Sequence, residues 1–492
     1  MKPMRITQLL FMAMVCFAGA VYADGVLDDA NRLEASGDFL KAGATLDSQL
    51  SQSGLGAEER KRLEFARDRL DRIRLDYPLT REALFEKLKK SVRDVTEKEF
   101  EQWIAEKRFD VRMIDGQERF MVSSVANLFW RYPELDARRQ TPRDESFEVP
   151  LYQLCHHIIA TKMSVALMGG NPRPYVLPKK FDVTMTVKLD AGVVKPGETV
   201  RAWLPVPRWY EYQDALQILA SSSPVKDLAP ETSPIRSVYL EQPAASNGPT
   251  IFSIQYQYAT RAVCFEIDPQ KVVPFDGKDA TVAKFTNEAP HVVFTPAMRE
   301  LSAKILGGET KPARAAKKIY EWIGTNIQYS FATEYSTIPN ISEYCRSHGY
   351  GDCGQEALLF ITLCRLNGIP ARWQTGWDTF PGAEDIHDWT EIYLAPYGWV
   401  PVDPCMGVLA TQYMHKLAPV EQEAVRNFFF GGRTQWRMAA NSDHDQPLSP
   451  VKKGFRSDDV DFQRGELESG GKNIYFNHYH YSFAVKEVLP EK

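Results

Sequence analysis

Past residue 23 the chain has no long apolar run, no stretch of clustered basic residues, no zinc-type cysteine spacing and no acidic loop of calcium-binding pattern. Each absence excludes something. No later segment approaches the roughly 18 apolar residues of a membrane-spanning helix. Without a basic patch, and with a formal net charge of −5, nucleic acid is a poor partner. Seven cysteines without paired short spacings exclude a structural zinc module. Without an acidic ligand loop, calcium activation has no support. No cofactor motif and no metal site are read from the chain. No repeat of about 34 residues is visible, so a helical solenoid is excluded as well.

What is present is the composition of an ordinary globular protein. The chain has 492 residues, 44% of them hydrophobic and 25% charged. At about 100–200 residues per domain, that is enough for two to four domains. Residues 1–23 read as a secretory signal peptide: Lys2 and Arg5 give the positive end, Leu9 to Ala20 the short apolar run, and Val21-Tyr22-Ala23 a small-residue cleavage site before Asp24. The expected product is exported, periplasmic or extracellular. Cys16 raises lipoprotein anchoring as an alternative, but Val15 precedes it where lipoprotein signals carry a small residue. Once Cys353 is set aside as a free thiol, the remaining exported cysteines (Cys155, Cys264, Cys345, Cys364 and Cys405) are odd in number and leave the disulfide pattern open.

Residues 24–177 read as a mainly helical N-terminal region. Within it, 79–132 form a smaller unit. Thr80 and Thr96 cap two helices, and FDVRMIDGQERFMV follows as a hairpin turning at Asp115-Gly116. Two helices and a hairpin resemble a winged-helix outline. In an acidic exported protein this is read as a packing module. NPRPYVLPKK is a linker. The pattern then switches to period two. Phe181, Val183, Met185, Val187 and Leu189 alternate with polar residues, and Phe252, Ile254, Tyr256 and Tyr258 do so again. Residues 178–272 are therefore expected to form an antiparallel β-sandwich. Helical spacing returns near 296, with Ala316, Ile319, Tyr320, Ile323 and Ile327 on one face.

The chemistry concentrates in residues 351–403. GDCG precedes an apolar run, Ala357 to Leu366, closed by Asn367-Gly368, which places Cys353 at the N-terminus of a buried helix. Free N–H groups and the helix dipole there favour a thiolate, and the Cys353 N–H would point toward an oxyanion. The flanking glycines imply close backbone approach. His387 opens a strand, HDWTEIYL, and GWVPVD ends at Asp403 on a second. A thiol, an imidazole to take its proton and a carboxylate to orient the imidazole make a complete nucleophilic set. Pairing Leu394 with Trp399 would set Asp403 opposite Thr390, on the wrong face for His387. A longer loop or a β-bulge that brings Asp403 opposite Trp389 is therefore expected. Asp385 and Asp388 flank His387. Asp388 points to the other face, and Asp385 stays a minor alternative partner.

These segments, GDCGQEALLFITLCRLNGIPAR, HDWTEIYL and GWVPVDP, closely resemble the core of the transglutaminase-like superfamily. The resemblance implies a papain-like α+β fold over residues 290–490 and a multidomain α+β protein overall, with the sandwich as the β-domain that often precedes such a core. It extends to FFFGGRTQWRM, similar to a tail strand of bacterial members. It implies Cys353 as nucleophile, His387 as general base and acid, Asp403 as orienting group, and acyl transfer or amide cleavage through a thioester. The partner so implied is a peptide or protein substrate, with cell-wall peptides or glycopeptides as one class. Gln328 and Tyr329 are candidate second oxyanion donors by position alone. The alternative is a non-catalytic cell-envelope protein that binds a peptide or glycan. Trp373, Trp377, Trp389 and Trp399 could line a cleft, although core packing is the commoner role for aromatics. His478 and His480 share a strand face but lack a third ligand. The polar stretch NSDHDQPLSPVKKGFRSDD is placed at the rim of the site.

Overall fold

The computed structural model describes residues 25–141, 148–168 and 174–489. The signal segment, Cys16 and part of the Pro-rich linker lie outside the described residues. Two compact units are present, Met1–Arg143 and Asp144–Lys492. The fold is α+β: a helical N-terminal region, several antiparallel sheets and a helix-on-sheet core.

In the first unit the helices Phe39–Leu50 and Ala57–Asp76 pack through Phe39, Ala42, Leu46, Leu63, Leu70 and Ile73. Thr80 and Thr96 each accept a hydrogen bond from the backbone N–H three residues on, both at 3.2 Å, and open the helices Arg81–Ser91 and Glu97–Ala105. The hairpin Val111–Ile114/Gln117–Phe120 turns at Asp115 and Gly116, whose φ values of 50° and 80° are those of a type I′ turn. A further helix, Ser124–Arg131, completes a core of Leu84, Leu88, Phe100, Trp103, Phe120 and Leu128.

The second unit opens its sheets with strand Tyr175–Leu189. Phe181, Val183, Met185, Val187 and Leu189 are all buried, and the residues between them are not. Strand Thr250–Cys264 pairs with it antiparallel and buries Phe252, Ile254, Tyr256 and Tyr258 on the same side. One five-stranded sheet is ordered Gly432–Arg433, Thr250–Cys264, Tyr175–Leu189, Tyr479–Glu487, with Gln213–Ser221 also on Thr250–Cys264. The other is ordered Lys472–Ile474, Glu466–Ser469, Thr199–Pro205, Ser237–Pro243, Val225–Leu228. The sandwich thus extends beyond residues 178–272, because strands from 432 onward complete both of its sheets. His480 lies on one of these late strands, exposed, and His478 sits in the short turn before it.

A four-stranded sheet is antiparallel, in the order Gly398–Val402, Asp385–Leu394, Ala371–Asp378, Arg437–Asn441. Its two faces are both covered. Ala371, Trp373, Ile392, Leu394, Val400 and Val402 pack in one cluster with the helices Pro312–Asn326 and Cys353–Leu366. On the opposite side Trp389 and Ala439 meet Tyr210, Tyr212 and Val263 from the sandwich. Trp373, Trp377 and Trp389 are core residues, and Trp399 packs against Arg372 and Phe285. The tryptophans near the site are therefore framework and do not wall an open cleft.

Gly376 allows the strands Ala371–Asp378 and Arg437–Asn441 to approach. A Cβ on it would lie 1.8 Å from the Met438 carbonyl oxygen, beside the register shift at Thr375/Gly376. Backbone cannot move aside as a flexible side chain does. Gly376→Ala is expected to destabilise this unit by about 3 kcal/mol, read as a lowered calorimetric transition. An unchanged transition would show that the two strands can separate freely.

Candidate active site

The helix Cys353–Leu366 starts where it does because Asp352 caps it. Asp352 Oδ1 accepts from the Gln355 N–H (3.2 Å), and Gln355 Oε1 accepts from the Asp352 N–H (3.3 Å), a reciprocal capping box. Gly368, with φ of 71°, follows the helix end. Gly354 is required by crowding: a Cβ there would sit 2.2 Å from the Tyr335 hydroxyl and 2.8 Å from Asp388 Oδ2. Tyr335 Oη donates to Asp352 Oδ1 at 2.6 Å, which fixes the cap from outside the helix.

His387 and Asp403 are brought together. His387 Nε2 lies 2.8 Å from Asp403 Oδ2, and both side chains are buried. The register that achieves this differs from the expectation. Leu394 pairs with Gly398 across Ala395, Pro396 and Tyr397, and the ladder runs without a bulge to Thr390–Val402. Asp403 therefore follows opposite Trp389 by way of a tighter connection, where a longer loop or a bulge was expected. Asp403 also caps the helix Pro404–Gln412: its Oδ1 accepts from the Met406 N–H (2.9 Å), leaving Oδ2 for the imidazole.

A residue that sequence reasoning missed completes this group. Arg437, 3% exposed, donates through Nη2 to Asp403 Oδ2, and its Nε makes an ion pair with Asp378 Oδ1 at 3.0 Å. Its guanidinium lies 5.1 Å from the ring centres of both Trp389 and Phe429. Burial alone would push the Asp403 carboxyl up. The charges of Arg437 and His387 outweigh it and hold Asp403 well below the usual carboxylate range. An ionised carboxylate only accepts hydrogen bonds. His387 Nε2 therefore carries the proton toward Asp403, and in the neutral ring Nδ1 carries the lone pair. Burial lowers the imidazole pKa, but Asp403 and Asp378 raise it further, for a net upward shift.

Cys353 is half-buried at the helix N-terminus, and its hydrogen-bond partner among the described residues is Asp388, whose Oδ2 lies 3.7 Å from Sγ. The sulfur thus sits on the helix-facing side of the Asp385–Leu394 strand. Burial of the sulfur, and then the charges of Asp388 and Asp352, push the thiol well above its ordinary value; the Asp388 backbone N–H acts the other way. Burial and the carboxylates crowding the same end thus oppose the thiolate that the helix terminus favours. Asp352 is itself pushed up to about 6 by burial, against the hydrogen bonds from Tyr335 and the Gln355 N–H. Of the candidate second oxyanion donors, Tyr329 is half-buried, and burial and then the charge of Cys353 push its hydroxyl well above the ordinary value. Asp385 is exposed at the strand start and accepts from the Ile386 N–H (2.8 Å), so it is not the imidazole's partner.

The tail segment also reaches the site. Gln463 Nε2 donates to Asp388 Oδ1 (3.0 Å) and to the His387 carbonyl (3.1 Å), and so ties the tail to the strand on both sides of the peptide linking them. Among the described residues no group of three or more His, Cys, Asp and Glu is placed to hold a metal ion, and no helix is long and apolar enough to cross a membrane.

Residues 299–404 match the family model of the transglutaminase-like superfamily, a span that contains Cys353, His387 and Asp403. The chain therefore carries a transglutaminase-like domain. Among curated proteins, it is 25% identical to YebA of Bacillus subtilis (strain 168), an uncharacterized protein, over 22% of this chain and 17% of that one. It is 24% identical to an uncharacterized Haemophilus influenzae protein over 34% of this chain and 52% of the relative. The chain thus spans no more than about half the length of these relatives. Among solved structures, it is similar to a proposed cysteine protease from Cytophaga hutchinsonii (17% identity, TM-score 0.41, 65% of this chain and 93% of that one). It is also similar to the periplasmic domain of TgpA from Pseudomonas aeruginosa (16% identity, TM-score 0.25, 52% and 96%). At these identities and scores nothing of either protein's chemistry transfers.

Proposed function

We propose that the protein is an exported, cysteine-dependent acyl-transfer enzyme acting on peptide or protein amide bonds. Cys353 is the nucleophile, His387 the base and then the acid, and Asp403 the orienting carboxylate. The observation that carries this reading is the buried His387–Asp403 hydrogen bond of 2.8 Å, made across neighbouring strands within the span matching the superfamily. A buried, ionised carboxylate that fixes one imidazole nitrogen leaves the other as a directed base.

In the reaction the Cys353 thiol proton passes to His387 Nδ1 and the sulfur attacks the amide carbonyl. The Cys353 N–H and Tyr329 are the groups offered to the oxyanion. Collapse breaks the C–N bond, the imidazolium gives its proton to the departing amine, and a thioester remains. Water, activated by the same imidazole, releases the acid; a second amine in its place would give transamidation. To begin, the sulfur has to turn from Asp388 toward His387. Catalytic hydrogen bonds in unliganded sites are often long or misaligned and tighten with substrate.

A second reading has an observation of its own. A protonated sulfur held by Asp388 also suits a non-catalytic protein that binds an envelope peptide or glycan. Purified protein and its Cys353→Ala variant, incubated in parallel with casein and with isolated peptidoglycan, separate the two. The enzyme reading expects new amine ends from one substrate with the wild type and none with the variant. Binding to either substrate without cleavage, equal in both proteins, would favour the second reading.

A further inference from the structure

We infer that Asp388 is a positioning residue for the Cys353 sulfur. Its carboxyl holds the thiol on the helix-facing side of the strand, and the charge on that carboxyl sets the pH range over which the sulfur becomes a thiolate. The inference rests on Cys353 being the nucleophile, and it adds a residue that the His387–Asp403 pair does not include.

The geometry follows from strand alternation. Neighbouring residues of a strand point to opposite faces. His387 lies with Trp389, its ring stacked at 5.9 Å between centroids, on the side of Asp403 and Arg437. Asp388 lies in line with Ile392 and Leu394, which pack in one cluster with residues of the Cys353 helix. Its two oxygens are divided: Oδ1 accepts from Gln463 at 3.0 Å, and Oδ2 faces the thiol at 3.7 Å. The missing Cβ of Gly354 is what lets that oxygen approach, since an added carbon would lie 2.8 Å from it.

The surroundings make the charge on Asp388 costly. Asp388 is 2% exposed. Asp461 faces it from the tail and Asp352 from the helix cap, with the Tyr335 hydroxyl beside Asp352 and His387 next along its own strand. Arg464, whose charge acts on Asp461, is held by Glu334 through two bonds of 2.9 and 2.7 Å and lies 3.9 Å from Asp458. Burial and Asp461 push the Asp388 carboxyl up, while Thr375 and His387 pull the other way. As pH rises through that raised value the carboxyl ionises beside the sulfur and opposes loss of the thiol proton. As pH falls it becomes neutral, and a carboxylic acid can donate to a thiolate.

The test is the rate at which iodoacetamide alkylates Cys353 in the full-length mature protein, followed by mass spectrometry from pH 5 to 10, for wild type, Asp388→Asn, Asp388→Ser and His387→Ala. Asparagine keeps the acceptor for Gln463 and removes the charge. Both Asp388 variants are expected to move the alkylation midpoint down by at least about one pH unit, which is about tenfold faster reaction near pH 7. A purely structural role would change melting temperature without moving this midpoint. If either variant folds with wild-type circular dichroism and keeps the wild-type profile, the inference fails. If either slows alkylation as His387→Ala does, Asp388 is a base and the inference fails as well. If wild-type Cys353 reacts no faster than Cys405 at every pH, the nucleophile assignment itself fails, a separate result.

Discussion

Replacing His387 with alanine is expected to lower amide turnover about 10⁴-fold while leaving the protein folded. The loss is large because in the proposed reaction the imidazole acts twice, taking the thiol proton before attack and returning a proton to the leaving amine. The fold tolerates the change because of Arg437. In most Cys-His-Asp arrangements, removing the imidazole would leave a buried carboxylate without its partner. Here Asp403 keeps the Arg437 guanidinium and the Met406 N–H. The stability cost reduces to lost packing of the ring on Trp389, about 1 kcal/mol. Turnover of a defined peptide together with a thermal melt checks both halves. A variant that loses activity only because it unfolds would contradict the division of labour drawn here.

Replacing Arg437 with methionine is expected to do the reverse in kind: a large loss of stability, about 3–5 kcal/mol, with activity falling as a consequence. The side chain is buried between two carboxylates and two aromatic rings. Methionine fills the space without the charge and leaves Asp403 with only the imidazole to balance it. The sign with pH follows from the depressed Asp403 value. A carboxyl lowered on folding stabilises the native state above its unfolded value, near 3.9, and that contribution is lost as pH falls. The deficit of Arg437→Met relative to wild type is therefore largest at neutral pH and narrows below about pH 4. Adding Asp403→Asn to the methionine variant is expected to recover part of the loss, because the uncompensated charge is then gone. Denaturant melts of wild type, Arg437→Met and the double variant at pH 7 and pH 3.5 test this; a deficit that grows in acid would contradict it.

Much of the fold is legible in the sequence because local pattern and burial agree. The alternation from Phe181 to Leu189 and from Phe252 to Tyr258 is the buried face of two paired strands. Thr80, Thr96 and Gly368 mark helix ends by chemistry that acts within one turn. What is not legible depends on long-range pairing. NHYHYSFAV reads as a strand, but nothing local says that Tyr479–Glu487 returns to pair with Tyr175–Leu189. The register of the His387 and Asp403 strands turns on where the connection closes, and Gly398 in place of Trp399 as the partner of Leu394 is enough to reverse which residues share a face.

The site follows the same rule. The helix start at Cys353 and the strand of His387 are each local. Alternation correctly sends Asp388 to the face away from His387, yet only the packed structure shows that the thiol waits on that other face. Arg437 is invisible for a related reason: a lone arginine in QWRMAAN reads as an edge or solvent residue, and its burial is explained only by two carboxylates from other strands. The tail residues Asp461 and Gln463, just beyond the segment that reads as a polar connection, likewise gain meaning only from what they touch.

We propose that the Cys353 sulfur is made nucleophilic by the His387–Asp403 pair. The most direct measurement is site-resolved iodoacetamide labelling of the native protein at pH 8, quantified by peptide mass spectrometry for wild type and His387→Ala. A reactive sulfur driven by that imidazole gives Cys353 labelling at least tenfold faster than Cys364 and Cys405, with the advantage lost in the variant. Equal labelling of the three cysteines, or a Cys353 rate indifferent to His387, would contradict it.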